Sequence, residues 1–126
     1  MDINDISYRI IGCIYNAYNK LGPGLLESVY ERALMVELKD ANLRAECQKI
    51  VDIVYNGKPL GLDLRLDILV EDSIILELKS VEKIHPVHPK QLFTYLKLTD
   101  KRLGLLVNFN VANIAKEGIT RVVNKI

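Results

Sequence analysis

The chain has 126 residues, of which 49% are hydrophobic and 26% are charged. That length allows one domain whose core can fold without disulfides or a structural metal, and it is too short for two ordinary domains. The composition excludes a disordered or collagen-like chain. Its 17 basic and 16 acidic residues exclude a polybasic protein that coats nucleic acid. No apolar run approaches the ~20 residues of a membrane span, and the acidic N-terminus is unlike a signal peptide. We therefore expect a single cytoplasmic domain over residues 1–126.

The two cysteines, Cys13 and Cys47, are too few for a disulfide framework or a zinc cluster. In a cytosolic protein, thiols of this kind are typically reduced and packed as small apolar side chains. We expect both to be buried and unpaired.

The first two elements are predicted to be helices. Apolar residues recur at spacings of three and four over residues 3–21, and Asp2 or Asn4 can cap the N-terminus. Gly22 and Pro23 end this helix, since glycine favours the C-terminal cap and proline cannot continue the hydrogen-bond ladder. A second helix is predicted over residues 25–41.

Three strands are predicted to follow. Residues 46–55 are apolar and β-branched, and Asn56-Gly57 is a strong hairpin-turn signal. Over residues 60–70 polar and apolar side chains alternate, which predicts that the even-numbered apolar residues share one face and that Asp67 lies on the other. After a turn, residues 74–81 are predicted to return as the third strand.

The C-terminal part is predicted to form a helix, a strand and a closing helix. The proline-rich segment 85–89 begins a helix that runs to about residue 98. The nearly continuous apolar run 103–109 is typical of a strand covered on both faces, and residues 112–123 are predicted to form the closing helix. The order α-α-β-β-β-α-β-α predicts an α/β fold with a mixed sheet flanked by helices.

Glu77 and Lys79 place two charges on one face of the otherwise apolar third strand. Period two puts Leu76 and Leu78 on the opposite face. Burying either charge unpaired costs several kcal/mol, so each needs a partner, an ion or water. A solvent-facing salt bridge and a functional site both remain open.

Asp67 precedes this strand, and a hairpin about Glu71-Asp72 would bring it close to Glu77. Two nearby carboxylates repel, which raises one pKa unless a cation lies between them. Such oxygen ligands suit Mg²⁺ or Mn²⁺, which keep waters and take phosphate oxygens. The alternative is an ion pair of Asp67 with Arg65 or Lys79.

Glu27 is predicted to lie within the apolar stripe of the second helix. At 100° per residue it falls between Leu34 and Leu38 in angle, and a glutamate buried there needs a specific partner. The alternative is a first-turn glutamate that is favoured by the helix dipole and reaches solvent.

The third helix carries His88, Gln91 and Tyr95 on one side, at spacings of three and four. Gln91 can donate and accept hydrogen bonds, and Tyr95 can donate to a phosphate oxygen. Lys90 and Lys97 could follow a phosphate backbone, although a solvated face is the simpler interpretation.

A set of short motifs runs in order through nearly the whole chain. It comprises Gly24-Leu25-Leu26-Glu27-Ser28-Val29-Tyr30, Asp67, Glu77-Leu78-Lys79, Pro86-Val87-His88, Gln91, Tyr95 and Asn108-Phe109. The set resembles the GxxExxY family, a compact branch of the PD-(D/E)XK nuclease superfamily. One departure is Leu66, which replaces the proline of the superfamily's name.

The resemblance implies a PD-(D/E)XK restriction-endonuclease-like core with a divalent-metal site. By that resemblance Asp67 and Glu77 would bind Mg²⁺ or Mn²⁺, helped by the backbone carbonyl of Leu78. Glu27 would be the acidic residue of the core's first helix, acting on the metal directly or through water.

The remaining implied roles concern the reacting water and the phosphate. Lys79 would act on the nucleophilic water, while Gln91 and Tyr95 resemble the glutamine–tyrosine pair of exonuclease-like members. We therefore expect a Mg²⁺-dependent nuclease acting on DNA, without a membrane, as a homodimer or in a larger DNA-processing complex. The alternative is a catalytically inactive module that keeps the fold and binds nucleic acid or protein. The intact set of Asp67, Glu77 and Lys79 favours the enzyme.

Overall fold

In the computed structural model, which describes residues 1–125, a five-stranded sheet lies between two layers of helices. The helices are α1 (Ile3–Leu21), α2 (Glu27–Asp40) and α3 (Val87–Thr99), and the strands are β1 (Ala45–Tyr55), β2 (Lys58–Val70), β3 (Ile74–Lys79), β4 (Leu103–Asn108) and β5 (Ile119–Val123). The strand order is β1-β2-β3-β4-β5, with β3 and β4 parallel and the other neighbours antiparallel. The predicted mixed α/β fold is confirmed. Among residues 1–125, no helix has the length and apolar character needed to cross a bilayer.

Local signals set the ends of α1 and the first hairpin as predicted. The Asp2 side chain caps α1 by accepting the Asn4 N–H at 3.4 Å. Gly22 ends α1 with a φ of 72°, and its N–H donates to the Tyr18 carbonyl at 2.7 Å. Asn56-Gly57 joins β1 to β2 with both residues at positive φ, as the tightest hairpin turns require.

Two hydrophobic clusters cover the two faces of the sheet. In the α1–α2 cluster, those helices pack on side chains such as Leu76 of β3 and Leu105 of β4. In the α3 cluster, Leu92 and Leu96 pack on the opposite face against residues such as Ile75. The predicted alternation of β3 is therefore confirmed.

The predicted alternation of β2 is wrong at its centre. Leu64 and Leu66 pack in the α3 cluster, whereas Ile68 and Val70 pack in the α1–α2 cluster. The change occurs at Asp67, where β2 parts from β3, because the two strands are paired only from Ile68 onward. In the part of the β1–β2 hairpin that extends beyond β3, the even-numbered residues of β2 therefore face the α3 cluster instead of the α1–α2 cluster.

The closing helix predicted over residues 112–123 is also wrong. A single π-helical turn, Ile114–Gly118, is capped by the Asn113 side chain, which accepts the Lys116 N–H at 3.1 Å. The chain then forms β5, which pairs with β4. Four of the five β5 residues are β-branched, which favours a strand, and the open edge of β4 supplies its backbone partners.

The two cysteines differ in exposure, and both are free thiols. Cys13 is buried in α1 as predicted, and burial raises the pKa of its thiol. Cys47 is exposed, so its predicted burial is wrong. It lies on β1, an edge strand of the sheet.

Candidate active site

Strands β2 and β3 separate where Asp67 and Glu77 stand opposite each other. Their backbone pairing ends at Ile68–Leu76, and Asp67–Glu77 is the next position in register. At this position, hydrogen bonds to side chains replace the backbone hydrogen bonds between the two strands. The Asp67 N–H donates to Glu77 Oε2 at 2.8 Å, and the Leu78 N–H donates to Asp67 Oδ2 at 2.8 Å. The two carboxylates are therefore held side by side at the fork between the strands.

The backbone carbonyl of Leu78 points into the same fork. The N–H and C=O groups of one strand residue point to the same side of the strand, and the Leu78 N–H points toward Asp67. The next carbonyl, that of Lys79, points the other way and accepts the Phe109 N–H at 3.0 Å. Two carboxylates and one carbonyl thus share one opening.

Glu77 is only 8% exposed. Burial, and then the charge on Asp67, raise the pKa of Glu77 to about 8, while the hydrogen bond from the Asp67 N–H and the Lys79 charge oppose that rise. Within residues 1–125, no cation lies within ion-pair distance of either carboxylate. The ion pairs considered for Asp67 with Arg65 or Lys79, and for Glu77 with Lys79, are therefore wrong.

The raised pKa of Glu77 makes the stability of the metal-free protein depend on pH. Because this pKa rises on folding from 4.5 to about 8, the native state keeps a proton that the unfolded chain loses. The free energy of unfolding therefore falls as pH rises across this window. We expect Glu77→Gln to match the wild type near pH 4 and to exceed its stability by several kcal/mol near pH 8. Urea unfolding in EDTA across this range measures the difference, and parallel curves for the two proteins would contradict the prediction.

Glu27 begins α2 and is exposed, so its predicted burial in the apolar stripe is wrong. The alternative, a first-turn glutamate that reaches solvent, is confirmed for its position. The physical reason is that α2 starts at the rim of the fold, where the preceding Leu26 is also 75% exposed. Glu27 nevertheless borders a cavity of about 170 Å³. The lining residues are Glu27, Ser28, Glu31, Gln48, Asp67 and Leu78.

Tyr30 fixes the N-terminus of α2 beside this cavity. Its ring is fully buried and stacks on Phe109, with centroids 4.2 Å apart. Its hydroxyl donates to the Gly22 carbonyl at 2.6 Å and accepts the Leu25 N–H at 3.1 Å. Gly24, at a φ of 94°, lets the loop turn tightly. Gly24 and Tyr30 therefore fix the position of Glu27, which lies between them in the sequence.

Lys79 ends β3, and the chain that follows it is hydrogen-bonded to Asn108 of β4. The buried Asn108 side chain donates to the Val81 carbonyl at 3.0 Å and accepts the Val81 N–H at 3.1 Å. The Lys79 charge lowers the pKa of Glu77, and it adds to the burial that lowers the pKa of His88. The charge of this ammonium group therefore acts both on Glu77 of β3 and on His88 of α3.

Helix α3 brings one side of its surface to the fork. Burial, and then the charges on Glu77 and Asp67, raise the pKa of Tyr95. Gln91 lies one turn earlier and is exposed, and its side chain makes no hydrogen bond in the described part of the chain. Tyr95 is therefore within electrostatic reach of both carboxylates, and Gln91 lies one turn away on the same side of α3.

Sequence reasoning missed two residues of the cavity, Glu31 and Gln48. Gln48 Nε2 donates to Glu31 Oε1 at 2.6 Å, and the Glu31 charge contributes to the raised pKa of Glu77. Glu31 follows Glu27 by four residues, a spacing that places both on one helical side and could have indicated it. Nothing in the residue pattern of β1 points to Gln48.

The carboxylate pair fits a divalent cation, although residues 1–125 contain no group of three or more His, Cys, Asp or Glu side chains arranged to hold one. One oxygen of Asp67 and one of Glu77 each accept a hydrogen bond from a backbone N–H. Their other oxygens, Oδ1 and Oε1, accept no hydrogen bond from the described residues. Hard oxygen donors, few in number and without a neighbouring cation among the described residues, suit an ion that keeps several waters.

Comparison with known proteins identifies the family. The sequence model of the PD-(D/E)XK nuclease superfamily matches residues 4–122. The chain belongs to the PD-(D/E)XK nuclease superfamily. Nucleases of this superfamily generally use divalent metals and act on nucleic acid. No curated protein matches the chain.

A solved structure has a fold similar to that of this chain. The crystal structure of SSO0001 is similar to this chain with a TM-score of 0.55 and 23% identity. The match covers 79% of this chain and 51% of SSO0001, so the chain spans about half the length of that protein. At this level of identity the similarity concerns the fold alone.

Proposed function

We propose that this PD-(D/E)XK protein is a Mg²⁺- or Mn²⁺-dependent nuclease of the GxxExxY branch that hydrolyses phosphodiester bonds in DNA. The observation that carries the proposal is the fork between β2 and β3. There, Asp67 and Glu77 are held together without a cation in ion-pair distance among the described residues, and Lys79 follows two residues later. A pair of this kind supplies oxygen ligands where a divalent cation and a phosphate can meet.

Asp67 and Glu77 would hold the cation through their remaining oxygens. The carbonyl of Leu78 would join them, and Glu27 would act from across the cavity, directly or through water. When bound, a divalent cation would lower the pKa of a coordinated water and offset the charge that develops on the phosphate.

Lys79 would act on the attacking water, and Gln91 and Tyr95 would bind the phosphate. As an ammonium, Lys79 cannot ligate a cation, but it would donate to the attacking water and orient it; only as a neutral amine would it take the proton of that water. Tyr95, whose pKa is raised by burial and by both carboxylates, stays protonated and donates to a phosphate oxygen. Gln91 offers a further donor and acceptor on the open side of α3.

We also propose the setting in which this chemistry takes place. Residues 1–126 act as one nuclease-like domain in the cytoplasm. The domain works as a homodimer or within a larger DNA-processing complex, because its near-neutral charge provides little sequence-independent attraction to DNA by itself.

The activity is tested by incubating the purified protein with linear, circular and single-stranded DNA. We expect cleavage of at least one substrate with Mg²⁺ or Mn²⁺, none in EDTA, and none by Asp67→Asn with either ion. A wild type that binds DNA and leaves every substrate intact would instead identify the inactive binding module.

A further inference from the structure

Gln48 is a non-glycine residue with a left-handed backbone inside a strand. Its φ is 53°, a conformation that ordinary L-residues rarely adopt. In register it stands opposite Asp67, in the gap that interrupts the β1–β2 ladder between the pairs Cys47–Ile68 and Lys49–Leu66. Strained residues of this kind persist where the surrounding structure enforces them, and they cluster at functional sites.

Both strands of the hairpin change faces at this position. On β1, Ala45 packs on the α1–α2 cluster and Val51 on the α3 cluster, although both are odd-numbered. On β2, Leu66 and Ile68 are divided between the clusters in the same way. Regular alternation forbids this. Asp67, which lies between Leu66 and Ile68 at this change of face, borders the cavity beside α2.

The Gln48 side chain makes a second contact in the same cavity. Its amide donates to Glu31 Oε1 at 2.6 Å, and Glu31 borders the cavity together with Asp67 and Glu27. Gln48 therefore stands opposite Asp67 of β2 in the ladder and hydrogen-bonds Glu31 of α2, so one residue adjoins carboxylates from both elements.

We propose that Gln48 is a positioning residue, whose left-handed backbone turns Asp67 into the cavity and whose amide holds Glu31 beside it. Its effect on cation binding rests on the proposed nuclease function. Its effect on Asp67 does not, because the geometry of the fork exists without a cation.

The backbone half of the proposal, that the Gln48 backbone places Asp67, is tested by comparing Gln48→Gly with Gln48→Val. Both lack the amide, but glycine adopts a left-handed conformation freely and β-branched valine resists it. The readout is amide hydrogen exchange at Asp67 and Leu78, whose N–H groups bond to the carboxylates. We expect Gln48→Gly to keep their protection and Gln48→Val to lose it by about tenfold or more relative to the core amide of Leu105. Gln48→Ala is the substitute if the valine variant does not fold.

A loss of protection shared equally by all three amides would show a global effect on stability and would overturn the backbone half. Retained protection in the valine variant would overturn it as well.

The amide half of the proposal, that the Gln48 amide holds Glu31 beside Asp67, is tested by Mn²⁺ titration of Gln48→Gly against the wild type. Residues that orient metal ligands typically change affinity about 10–100-fold when replaced, so we expect a loss of about tenfold with the exchange pattern unchanged. Wild-type affinity in Gln48→Gly would overturn the amide half. A wild type that binds no Mn²⁺ would overturn the proposed function, while the exchange experiment would still decide the backbone half.

Discussion

Lys79→Ala is expected to lower DNA cleavage by about 10²-fold or more while leaving Mn²⁺ affinity close to that of the wild type. Removing a group that positions or deprotonates a nucleophile has an effect of this size. Lys79 lies close enough to Glu77 for its charge to lower the pKa of that carboxyl, yet an ammonium cannot ligate a cation. Single-turnover cleavage rates and a parallel Mn²⁺ titration separate the two properties.

Lys116→Ala is the matched control for this variant, because it removes an exposed lysine from the turn before β5. It should cleave at the wild-type rate. If Lys79→Ala also cleaves at nearly that rate, Lys79 serves only to adjust the charge near Glu77.

Glu27→Leu is expected to lose cleavage by about 10–100-fold, the range for residues that support a metal site. Its stability should stay within about 1 kcal/mol of the wild type. Because Glu27 is exposed, leucine gains little from burial, and the variant loses only the small interaction of a first-turn carboxylate with the helix dipole. Cleavage rates and thermal melts of the same preparation measure both effects.

Asp5→Leu supplies the matched control for the Glu27 variant, since Asp5 is an exposed acidic residue in the first turn of α1. It should show a similar change in melting temperature and no change in cleavage. Full activity in Glu27→Leu would remove Glu27 from the site, even though it borders the same cavity as Asp67.

The order of elements and the central pair of carboxylates could be predicted because both depend on short-range pattern. In β3, period two separates Leu76 and Leu78 from Glu77, and the structure has the same division. A tight turn limits how far Asp67 can lie from Glu77, so their proximity follows from chain geometry. The confirmed features are those in which neighbours in sequence are also neighbours in space.

The failures concern features that are set by distant contacts. The face change at Asp67 depends on the backbone of Gln48 across the hairpin and on the end of pairing with β3. The exposure of Glu27 depends on where α2 begins relative to the sheet. The last segment forms β5 because β4 offers an open edge. In each case the local pattern is compatible with two outcomes, and the tertiary partner selects one.

The proposed divalent-cation site at Asp67 and Glu77 can be tested by counting the protons that Mn²⁺ displaces when it binds. Because the pKa of Glu77 is raised to about 8, this carboxyl is largely protonated at pH 7 and must ionise to bind the ion. Titration calorimetry at pH 7 in buffers of different ionisation enthalpy gives the number released. We expect close to one proton per Mn²⁺ for the wild type and almost none for Glu77→Gln, which should also bind more weakly. Equal affinity and equal proton release in the two proteins, or no Mn²⁺ binding by the wild type, would contradict it.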